Sequence, residues 1–265
     1  MKIVCLKGGL GNQMFEYCRF RDLMDSGNGK VYLFYDRRRL KQHDGLRLSD
    51  CFELELPSCP WGIRLVVWGL KICRAIGVLK RLYDDEKPDA VLIDDYSQHR
   101  RFIPNARRYF SFRQFLAELQ SGFVQMIRAV DYPVSVHVRR GDYLHPSNSS
   151  FVLCGVDYFR QAIAYVRKKR PDARFFFFSD DMEWVRENLW MEDAVYVEHT
   201  ELMPDYMDLY LMTLCRGHII SNSTFSFWGA YLAVDGNGMK IYPRRWFRDP
   251  TWITPPIFSE EWVGL

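Results

Sequence analysis

The second half of the chain alternates between short apolar runs and segments whose apolar residues recur every three or four positions. The runs DYPVSVHV and ARFFFFSDD predict buried strands, and DYFRQAIAYVRKKR between them predicts an amphipathic helix that stops at Pro171. Further strands and helices follow, up to the run MKIYP. Strands that alternate with helices of this length are typical of a parallel sheet with right-handed crossovers. We therefore predict one doubly wound domain over residues 126–245.

The first half begins with the strand KIVCL, a glycine turn, the helix NQMFEYCRFRDLMDSG and the strand KVYLFYD. This order predicts a second α/β unit over residues 1–125, although the segment 45–90 shows no clear alternation. The tail after residue 245 is rich in Trp and Pro, which predicts an irregular arm over 246–265 packed on the surface. The predicted fold class is α/β, with two Rossmann-type domains that face each other and a C-terminal arm.

The composition of the chain argues against several classes of protein. The 265 residues carry a net charge of +3 without a long Lys/Arg block, so nothing indicates a nucleic-acid partner. The seven cysteines are an odd number and form no C-x-x-C pair, which favours free thiols in a reducing compartment. No apolar run reaches membrane-spanning length, and the apolar run among the first residues is too short for the apolar region of a secretory signal. These features predict a cytoplasmic protein.

Four predicted strand ends carry unusual polar residues: KGGLGNQMF, HVRRGDY, FFFFSDD and ISNSTFSFW. Ligands of open α/β sheets bind beyond the carboxyl ends of strands, where loops and helix N-termini present N–H groups. Four such ends in one chain predict a shared ligand cleft.

The two arginines at 139 and 140 fall on opposite faces of their strand, since strand side chains alternate. Arg139 shares a face with His137, and its planar guanidinium suits bidentate binding of phosphate. Arg140 lies with the valines and is predicted to pair with a buried carboxylate. The alternative for both is an ordinary surface salt bridge.

The other strand ends are less specific. Gly8, Gly9 and Gly11 precede a helix and resemble a phosphate loop, but a tight turn explains them equally well. Hydroxyl and amide side chains surround the start of a later helix in greater number than capping requires, which suits phosphate oxygens. They are Asn222, Ser223, Thr224 and Ser226. The run FSDD offers Ser179, Asp180 and Asp181, of which Asp181 is predicted to cap the next helix.

No D-x-D pair and no H-E-x-x-H, G-x-S-x-G or clustered His/Cys pattern occurs in the chain. D-x-D often holds the Mg²⁺ that assists a pyrophosphate leaving group in nucleotide-sugar enzymes. The arginine, the hydroxyls and the helix dipole would then have to replace the metal, and we predict no metal site and no cofactor.

GGLGNQMF, VHVRRGDY, FSDD and SNSTFSFWGAYL together resemble the α-1,2-fucosyltransferases of glycosyltransferase family 11 in order and spacing, from Lys7 to the tail. The resemblance implies a GT-B-like fold, GDP-β-L-fucose as donor, inversion at the anomeric carbon and no metal requirement. It departs at Glu16, where members often have Gln, and at Phe227, where Trp is common. The chain resembles the bacterial type without a membrane anchor, which modifies surface polysaccharide or lipopolysaccharide precursors.

The resemblance also implies roles for individual residues. Arg139 would bind the donor diphosphate with His137 and Asp142 beside it, Asn12 would reach the fucose or phosphate, and Asp180 would bind guanine. The predicted catalytic residues are Arg139, Asp142 and His137. The predicted donor-binding residues are Gly11, Asn12, Arg140, Ser179, Asp180, Asn222, Ser223, Thr224, Phe225 and Ser226.

The inferred reaction is attack by O2 of a terminal galactose on C1 of fucose, while Arg139 stabilises charge on the β-phosphate. Asp142 is the first candidate for the general base, but it could equally orient an arginine. Two other classes stay open: a Rossmann-type oxidoreductase or kinase, and a non-catalytic module that binds nucleotide sugars.

The segment 62–81, GIRLVVWGLKICRAIGVLKR, is not explained by the resemblance. If it is helical, Arg64, Lys71, Arg74 and Arg81 form a basic stripe beside apolar residues, which predicts peripheral contact with the inner membrane surface. An ordinary domain helix with a solvated basic face is the favoured alternative.

Overall fold

A computed structural model describes residues 1–27, 29–41, 45–83, 87, 89–117, 122–198, 203–204 and 206–265. The chain divides into two compact units, residues 1–113 and residues 114–265. The sequence places the boundary at 125/126 instead. The structure includes the helix Gly122–Arg128 in the second unit because this helix packs against the helix Tyr206–Leu214.

Unit 1 is built around a small parallel sheet of strand order β2-β1-β3. Its elements in chain order are β1 (Lys2–Leu6), α1 (Leu10–Asp25), β2 (Val31–Tyr35), α2 (Arg37–Leu40), α3 (Leu48–Cys51), α4 (Trp61–Ala75), β3 (Leu92–Ile93) and α5 (Ala106–Tyr109), with 3₁₀ turns at Lys80–Leu82 and Arg100–Phe102. The segment that showed no clear alternation thus contains α3 and α4. Ile63, Val67 and Leu70 of α4 pack against Ile3 and Leu92 of the sheet.

Unit 2 contains a six-stranded, wholly parallel sheet of order β6-β5-β4-β7-β8-β9. Its elements are α6 (Gln114–Ala117), α7 (Gly122–Arg128), β4 (Tyr132–Val138), α8 (Val156–Lys169), β5 (Ala173–Ser179), α9 (Met182–Asn188), β6 (Val195–Tyr196), α10 (Tyr206–Leu214), β7 (Gly217–Ile219), α11 (Thr224–Tyr231), β8 (Lys240–Tyr242) and β9 (Val263–Gly264), with 3₁₀ turns at Asp142–Leu144 and Pro146–Asn148. The predicted α/β class with parallel sheets is confirmed.

The core of unit 2 explains the apolar runs of the sequence. Every residue of β4 is buried, as expected for a central strand of a parallel sheet. Val134, Val136 and Val138 point to one face, where they meet Phe175 and Phe177 of β5. The strand order reverses its direction of growth between β4 and β7, and the crevice at such a switch point is where doubly wound folds bind ligands. The fold therefore directs attention to the loops after β4 and β7.

Residues 246–265 are mostly irregular, but their last residues join the sheet of unit 2. β9 extends the sheet by pairing with β8, and Ile257 is buried. The ring of Phe258 stacks on Tyr242 with centroids 3.8 Å apart, and Trp262 stacks on Phe227 at 5.4 Å. Phe258 and Trp262 are thus half-buried against unit 2, whereas Trp252 stays exposed.

The predicted helix over 62–81 is shorter than expected. α4 ends at Ala75 because Gly77 adopts a left-handed conformation with φ +75°, and Leu79 follows with φ +55°. Arg81 therefore lies outside the helix, in the next 3₁₀ turn. In the described part of the chain, no helix is both long and apolar enough to cross a membrane.

Candidate active site

The end of β4 is tied to the end of β7 by a buried histidine. Nδ1 of His137 lies 3.0 Å from Oγ of Ser221, and the ring of Phe225 lies 5.9 Å from the imidazole. Burial, with a smaller contribution from Arg139, lowers the pKa of His137 to about 3. The ring is therefore neutral near pH 7, which suits a hydrogen-bonding role and makes it a weak base. Ser221 was missed in the sequence, since nothing local distinguishes it from its neighbours.

Arg139 follows β4 and is held by two carboxylates. Its Nε lies 2.8 Å from Oδ1 of Asp142, and its Nη1 lies 3.1 Å from Oδ2 of Asp180. Burial disfavours the charged form, but Asp180 and Asp142 outweigh it and raise the pKa of the guanidinium. The side chain is 35% exposed. The arrangement presents a fixed cation at the switch point.

Arg140 points the other way, as face alternation predicts. Its Nε lies 3.1 Å from Oδ2 of Asp181, its guanidinium lies 4.0 Å from the ring centre of Trp184, and the side chain is only 12% exposed. The predicted pairing of Arg140 with a carboxylate is confirmed. These contacts fix the loop after β4 to the start of α9, so Arg140 serves the structure of the site.

The FSDD residues at the end of β5 mainly shape the loop after β4. Asp181 accepts the N–H of Trp184 and caps α9, as predicted, and Oγ of Ser179 accepts the N–H of Asp181. Oδ1 of Asp180 accepts the N–H of Arg140, while its Oδ2 pairs with Arg139. Both oxygens of Asp180 thus have protein partners, and this geometry indicates that Asp180 orients Arg139. Its contact with guanine stays a prediction.

Two residues after β7 that were predicted to bind the donor have other roles. Asn222 is fully buried and donates from Nδ2 to the carbonyls of Val152 and Trp246, at 2.7 and 3.0 Å. Ser226 is also fully buried, and its hydroxyl donates to the carbonyl of Ser223. Both predictions are corrected: these side chains hold the start of α11 in place and do not face a ligand.

The accessible groups at this helix start are Thr224 and Phe225, both half-buried, next to Ser223. Tyr143 connects them to the loop after β4, because its hydroxyl donates to the carbonyl of Asn222 at 2.8 Å. Burial raises the pKa of Tyr143, so its hydroxyl keeps its proton. Tyr143 was not selected from the sequence, although it belongs to the HVRRGDY run. Together these contacts bring Arg139, Asp142, Thr224 and Phe225 to one edge of the sheet of unit 2.

The glycine loop lies in unit 1, between β1 and α1. Gly8 has φ +67°, and a Cβ there would meet Nδ2 of Asn12 at 2.7 Å, so the close approach requires glycine. Oδ1 of Asn12 accepts from Nε2 of Gln98 at 2.9 Å, which fixes the amide of Asn12. Gly11 is buried within the first turn of α1. The loop is a tight turn that positions Asn12, and Gln98 is a contributor that the sequence did not reveal.

Glu16 lies buried one helical turn beyond this loop. Its Oε2 accepts the N–H of Lys7 at 2.8 Å, and no partner of Oε1 occurs among the described residues. Burial raises the pKa of Glu16 well above its usual value, although the N–H and the charge of Lys7 act in the opposite direction. A neutral Glu16 can act as an uncharged acceptor, as a glutamine would.

Beyond the carboxyl ends of β1 and β2, unit 1 has a cavity of about 420 Å³. Two rings, two carboxylates and two lysines line it, which is a mixture suited to a polar ligand with hydroxyl groups. These residues are Phe34, Tyr96, Asp36, Asp94, Lys7 and Lys71.

No three His, Cys, Asp or Glu side chains within the described ranges lie close enough together to hold a metal ion. All seven cysteines are free thiols.

Comparison with known proteins identifies the family. The family model "Glycosyl transferase family 11" matches residues 100–265, which include all of unit 2. The chain belongs to glycosyl transferase family 11. The resemblance found in the sequence is thus confirmed, and this member is a glycosyltransferase with the arginine and helix-start geometry described above.

Two relatives and one solved structure add detail. The chain is 29% identical to an alpha-1,2-colitosyltransferase of Escherichia coli, over 98% of this chain and 97% of that protein. It is 28% identical to the galactoside 2-alpha-L-fucosyltransferase SEC1 of Bos taurus, over 98% of this chain and 72% of the relative. A crystal structure of NodZ alpha-1,6-fucosyltransferase soaked with GDP-fucose matches with a TM-score of 0.52, at 15% identity, over 87% of this chain and 91% of the other. That likeness confirms the GT-B-like fold class.

Proposed function

We propose that this glycosyltransferase transfers L-fucose from GDP-β-L-fucose to O2 of a terminal galactose in a glycan, forming an α-1,2 linkage with inversion. The proposal rests mainly on the position of Arg139. Asp142 and Asp180 hold its guanidinium at the switch point of unit 2, beside the start of α11. An anion-binding edge of this kind suits a diphosphate. The galactoside fucosyltransferase relative, aligned over nearly the whole chain, supports the sugar and the linkage.

In this reaction the acceptor oxygen forms a bond to C1 of fucose while the bond from C1 to the β-phosphate oxygen breaks. The electron pair of the broken bond stays on the phosphate, where the partly exposed guanidinium of Arg139 stabilises the growing charge. Asp142 holds Nε of the same guanidinium, so we assign it a positioning role. The acceptor hydroxyl gives its proton to a base as the new bond forms.

We further propose that the transfer needs no metal ion and no cofactor. The sequence has no D-x-D pair, and Arg139 together with the N–H groups at the start of α11 supplies positive charge that suits a diphosphate. Turnover should therefore persist in EDTA, and a complete loss that Mg²⁺ or Mn²⁺ restores would contradict this assignment.

For the acceptor we propose the cavity of unit 1. Its carboxylates and rings are the groups that commonly bind sugar hydroxyls and C–H faces, and Asp36 and Tyr96 line it from different loops. Asp36→Asn and Tyr96→Ala should raise KM for the acceptor and leave KM for the donor unchanged. If these variants raised KM for the donor alone, the proposal that unit 1 binds the acceptor and unit 2 the donor would be contradicted.

A second candidate donor is a colitose nucleotide, favoured by the similarity to the colitosyltransferase over 98% of the chain. Colitose lacks the 3-hydroxyl that fucose carries. A comparison of the two donors therefore tests whether the site binds this hydroxyl.

Both nucleotide sugars should be supplied with Galβ1-3 and Galβ1-4 acceptors, with and without EDTA. Released GDP reports turnover, and NMR of the product reports linkage and anomeric configuration. We expect an α-1,2-fucoside; hydrolysis of the donor without a glycosylated product, or binding without turnover, would overturn the proposal.

A further inference from the structure

The helix α4 exposes an apolar stripe on the side opposite its buried face. The stripe consists of Trp61, Leu65, Trp68 and Ile72, continued by Ile76 directly after the helix. These residues are exposed by 73%, 48%, 67%, 40% and 67%, respectively. With 3.6 residues per turn, the five positions fall within an arc of about 80°. The buried residues of α4, Ile63, Val67 and Leu70, lie on the other side and pack on the sheet of unit 1.

An exposed arc of this kind is unusual for a surface helix, which normally presents polar residues to water. The solvent-facing positions of α4 include two tryptophans and two large aliphatic residues, and Ile76, Val78 and Leu79 after the helix are also exposed. The cost of exposing them to water indicates that another apolar phase covers them.

The charge around the stripe identifies that phase. Residues 56–83 contain no Asp or Glu but five Lys or Arg, in a chain with a net charge of only +3. Arg64 is exposed on the flank of the stripe, and no ion pair of Arg64 is formed in the described part of the chain. Lys71 and Arg74 share the single carboxylate of Asp94 with Lys7, so their positive charge exceeds that of their partner. A face that is apolar at its centre and basic at its edge complements an anionic surface with an apolar interior.

We propose that α4 is a membrane-docking helix that lies in the plane of an anionic phospholipid surface with its apolar stripe inserted. Trp61 and Trp68 suit the interfacial layer, and Arg64 can reach lipid phosphates. This differs from the surface predicted from the sequence, which was the basic stripe. In the structure Lys71 and Arg74 are directed toward Asp94 of unit 1, and Arg81 lies outside the helix and pairs with Asp89.

Docking of this kind goes beyond sugar transfer. It would hold the enzyme at the surface where a lipid-linked glycan presents its terminal sugar, while transfer to a soluble acceptor would not require it. Activity on a soluble galactoside is therefore a control for folding that is independent of membrane binding.

The test is co-sedimentation of the full-length protein with vesicles of phosphatidylcholine alone and with added phosphatidylglycerol, at low and high salt. Trp68→Ser should lower the partition coefficient by about tenfold or more, because it removes a large inserted ring. The matched control is Trp190→Ser, which changes a tryptophan of unit 2 that is 66% exposed and lies far from α4 in sequence; it should leave binding unchanged. Arg64→Gln should lower binding to the anionic vesicles about fivefold and have little effect on the neutral ones.

A second measurement needs no variant. Phospholipids brominated on their acyl chains should quench part of the tryptophan fluorescence of the wild-type protein, and Trp68→Ser should reduce the quenched fraction. The proposal is overturned if the wild type never pellets with anionic vesicles at low salt, or if Trp68→Ser and Trp190→Ser weaken binding equally. It is also overturned if sedimentation velocity shows a dimer that Trp68→Ser dissociates, since the stripe would then be an interface between two copies.

Discussion

Arg139 and Arg140 are sequence neighbours whose side chains have different partners and should respond differently to the same substitution. Arg139→Lys keeps the charge but removes the planar fork that Asp142 and Asp180 orient. We expect kcat to fall by about a hundredfold to a thousandfold, as when one donor to a developing anion is lost. The measurement is the rate of GDP release at saturating donor and acceptor.

Arg140→Lys is the matched variant. It loses the stack on Trp184 and the aligned contact with Asp181, so the protein should be destabilised by about 1 kcal/mol while most of the activity remains. Equal activity of Arg139→Lys and the wild type would contradict the proposed contact with the diphosphate. A larger loss of kcat for Arg140→Lys than for Arg139→Lys would reverse the assignment of the two faces.

Glu16 gives a residue-scale prediction about pH. Its folded-state pKa is raised by burial, so the folded protein retains a proton that the unfolded chain releases. The stability contribution of Glu16 is full below its ordinary pKa and is lost as pH rises toward the folded value, with a slope of at most about 1.4 kcal/mol per pH unit. Glu16→Gln removes this titration and preserves an uncharged acceptor for the N–H of Lys7.

The stability of Glu16→Gln relative to the wild type should therefore increase as pH rises from 5 to 8, measured by urea unfolding at each pH. Glu53→Gln, an exposed carboxylate of the same unit, controls for the loss of one negative charge. A difference between Glu16→Gln and the wild type that stays constant over this range would show that Glu16 is charged in the folded protein.

At the scale of elements, the loop between β7 and α11 separates stabilising side chains from accessible ones. Asn222→Ala removes a donor from the carbonyls of Val152 and Trp246, of which the second keeps the N–H of Val152, and should lower the free energy of unfolding by about 1–3 kcal/mol. Thr224→Ala changes a half-buried residue at the first position of α11 and should cost less than about 1 kcal/mol, but raise KM for the donor. Thermal unfolding and donor titration of the two variants distinguish these effects. A stable Asn222→Ala protein with weakened donor binding would restore the role first predicted for Asn222.

The site residues show which features of the site can be predicted from the sequence and which depend on the tertiary fold. The alternation of β4 predicted the opposite faces of Arg139 and Arg140, because the strand period depends only on neighbouring residues. The direction in which the side chain of Asn222 points depends on its hydrogen bonds to Val152 and Trp246, which are 70 and 24 residues away along the chain. A motif rich in amides and hydroxyls indicates a polar site, but only the tertiary fold decides which of its members point inward.

Helix α4 presents the same limit for an apolar pattern. Its sequence carries two apolar arcs, one with Ile63, Val67 and Leu70 and one with Trp61, Leu65 and Trp68, and either could face a core. The sheet of unit 1 selects the first arc because Ile3 and Leu92 lie beneath it. Arg64 and Lys71 then lie between the arcs, whereas Arg74 falls on the side of the first arc, so the proposed membrane-facing surface cannot be read from the spacing of the basic residues alone.

At the scale of the whole molecule, the groups proposed to bind the donor and the acceptor lie in different units. The family model begins at residue 100, so it covers unit 2 and only the end of unit 1. Unit 2 contains Arg139 and the start of α11, the groups proposed to bind the nucleotide diphosphate, whereas unit 1 contains the cavity proposed for the acceptor. Relatives that align over 98% of the chain nevertheless include both units.

The buried titrating groups of the two units predict opposite responses to pH. Burial lowers the pKa of His137 and of His218 in unit 2 to about 3, from an ordinary value of 6.5. Below 6.5 the unfolded chain binds more protons than the folded unit, so their contribution to stability is full above 6.5 and falls as pH decreases toward 3. Glu16 in unit 1 acts in the opposite sense and favours lower pH.

We therefore expect unit 2 to lose stability and unit 1 to gain it when pH is lowered from 8 to 5.5. Hydrogen exchange followed by mass spectrometry, corrected for the intrinsic pH dependence of exchange, reports the opening free energy of each unit separately. Amides of β4 and β5 should become less protected at pH 5.5, while those of β1 and α1 become more protected. His218→Asn should reduce the response of unit 2 only, and Glu16→Gln the response of unit 1 only. If both units change in the same direction, these three buried groups do not set the pH dependence of stability.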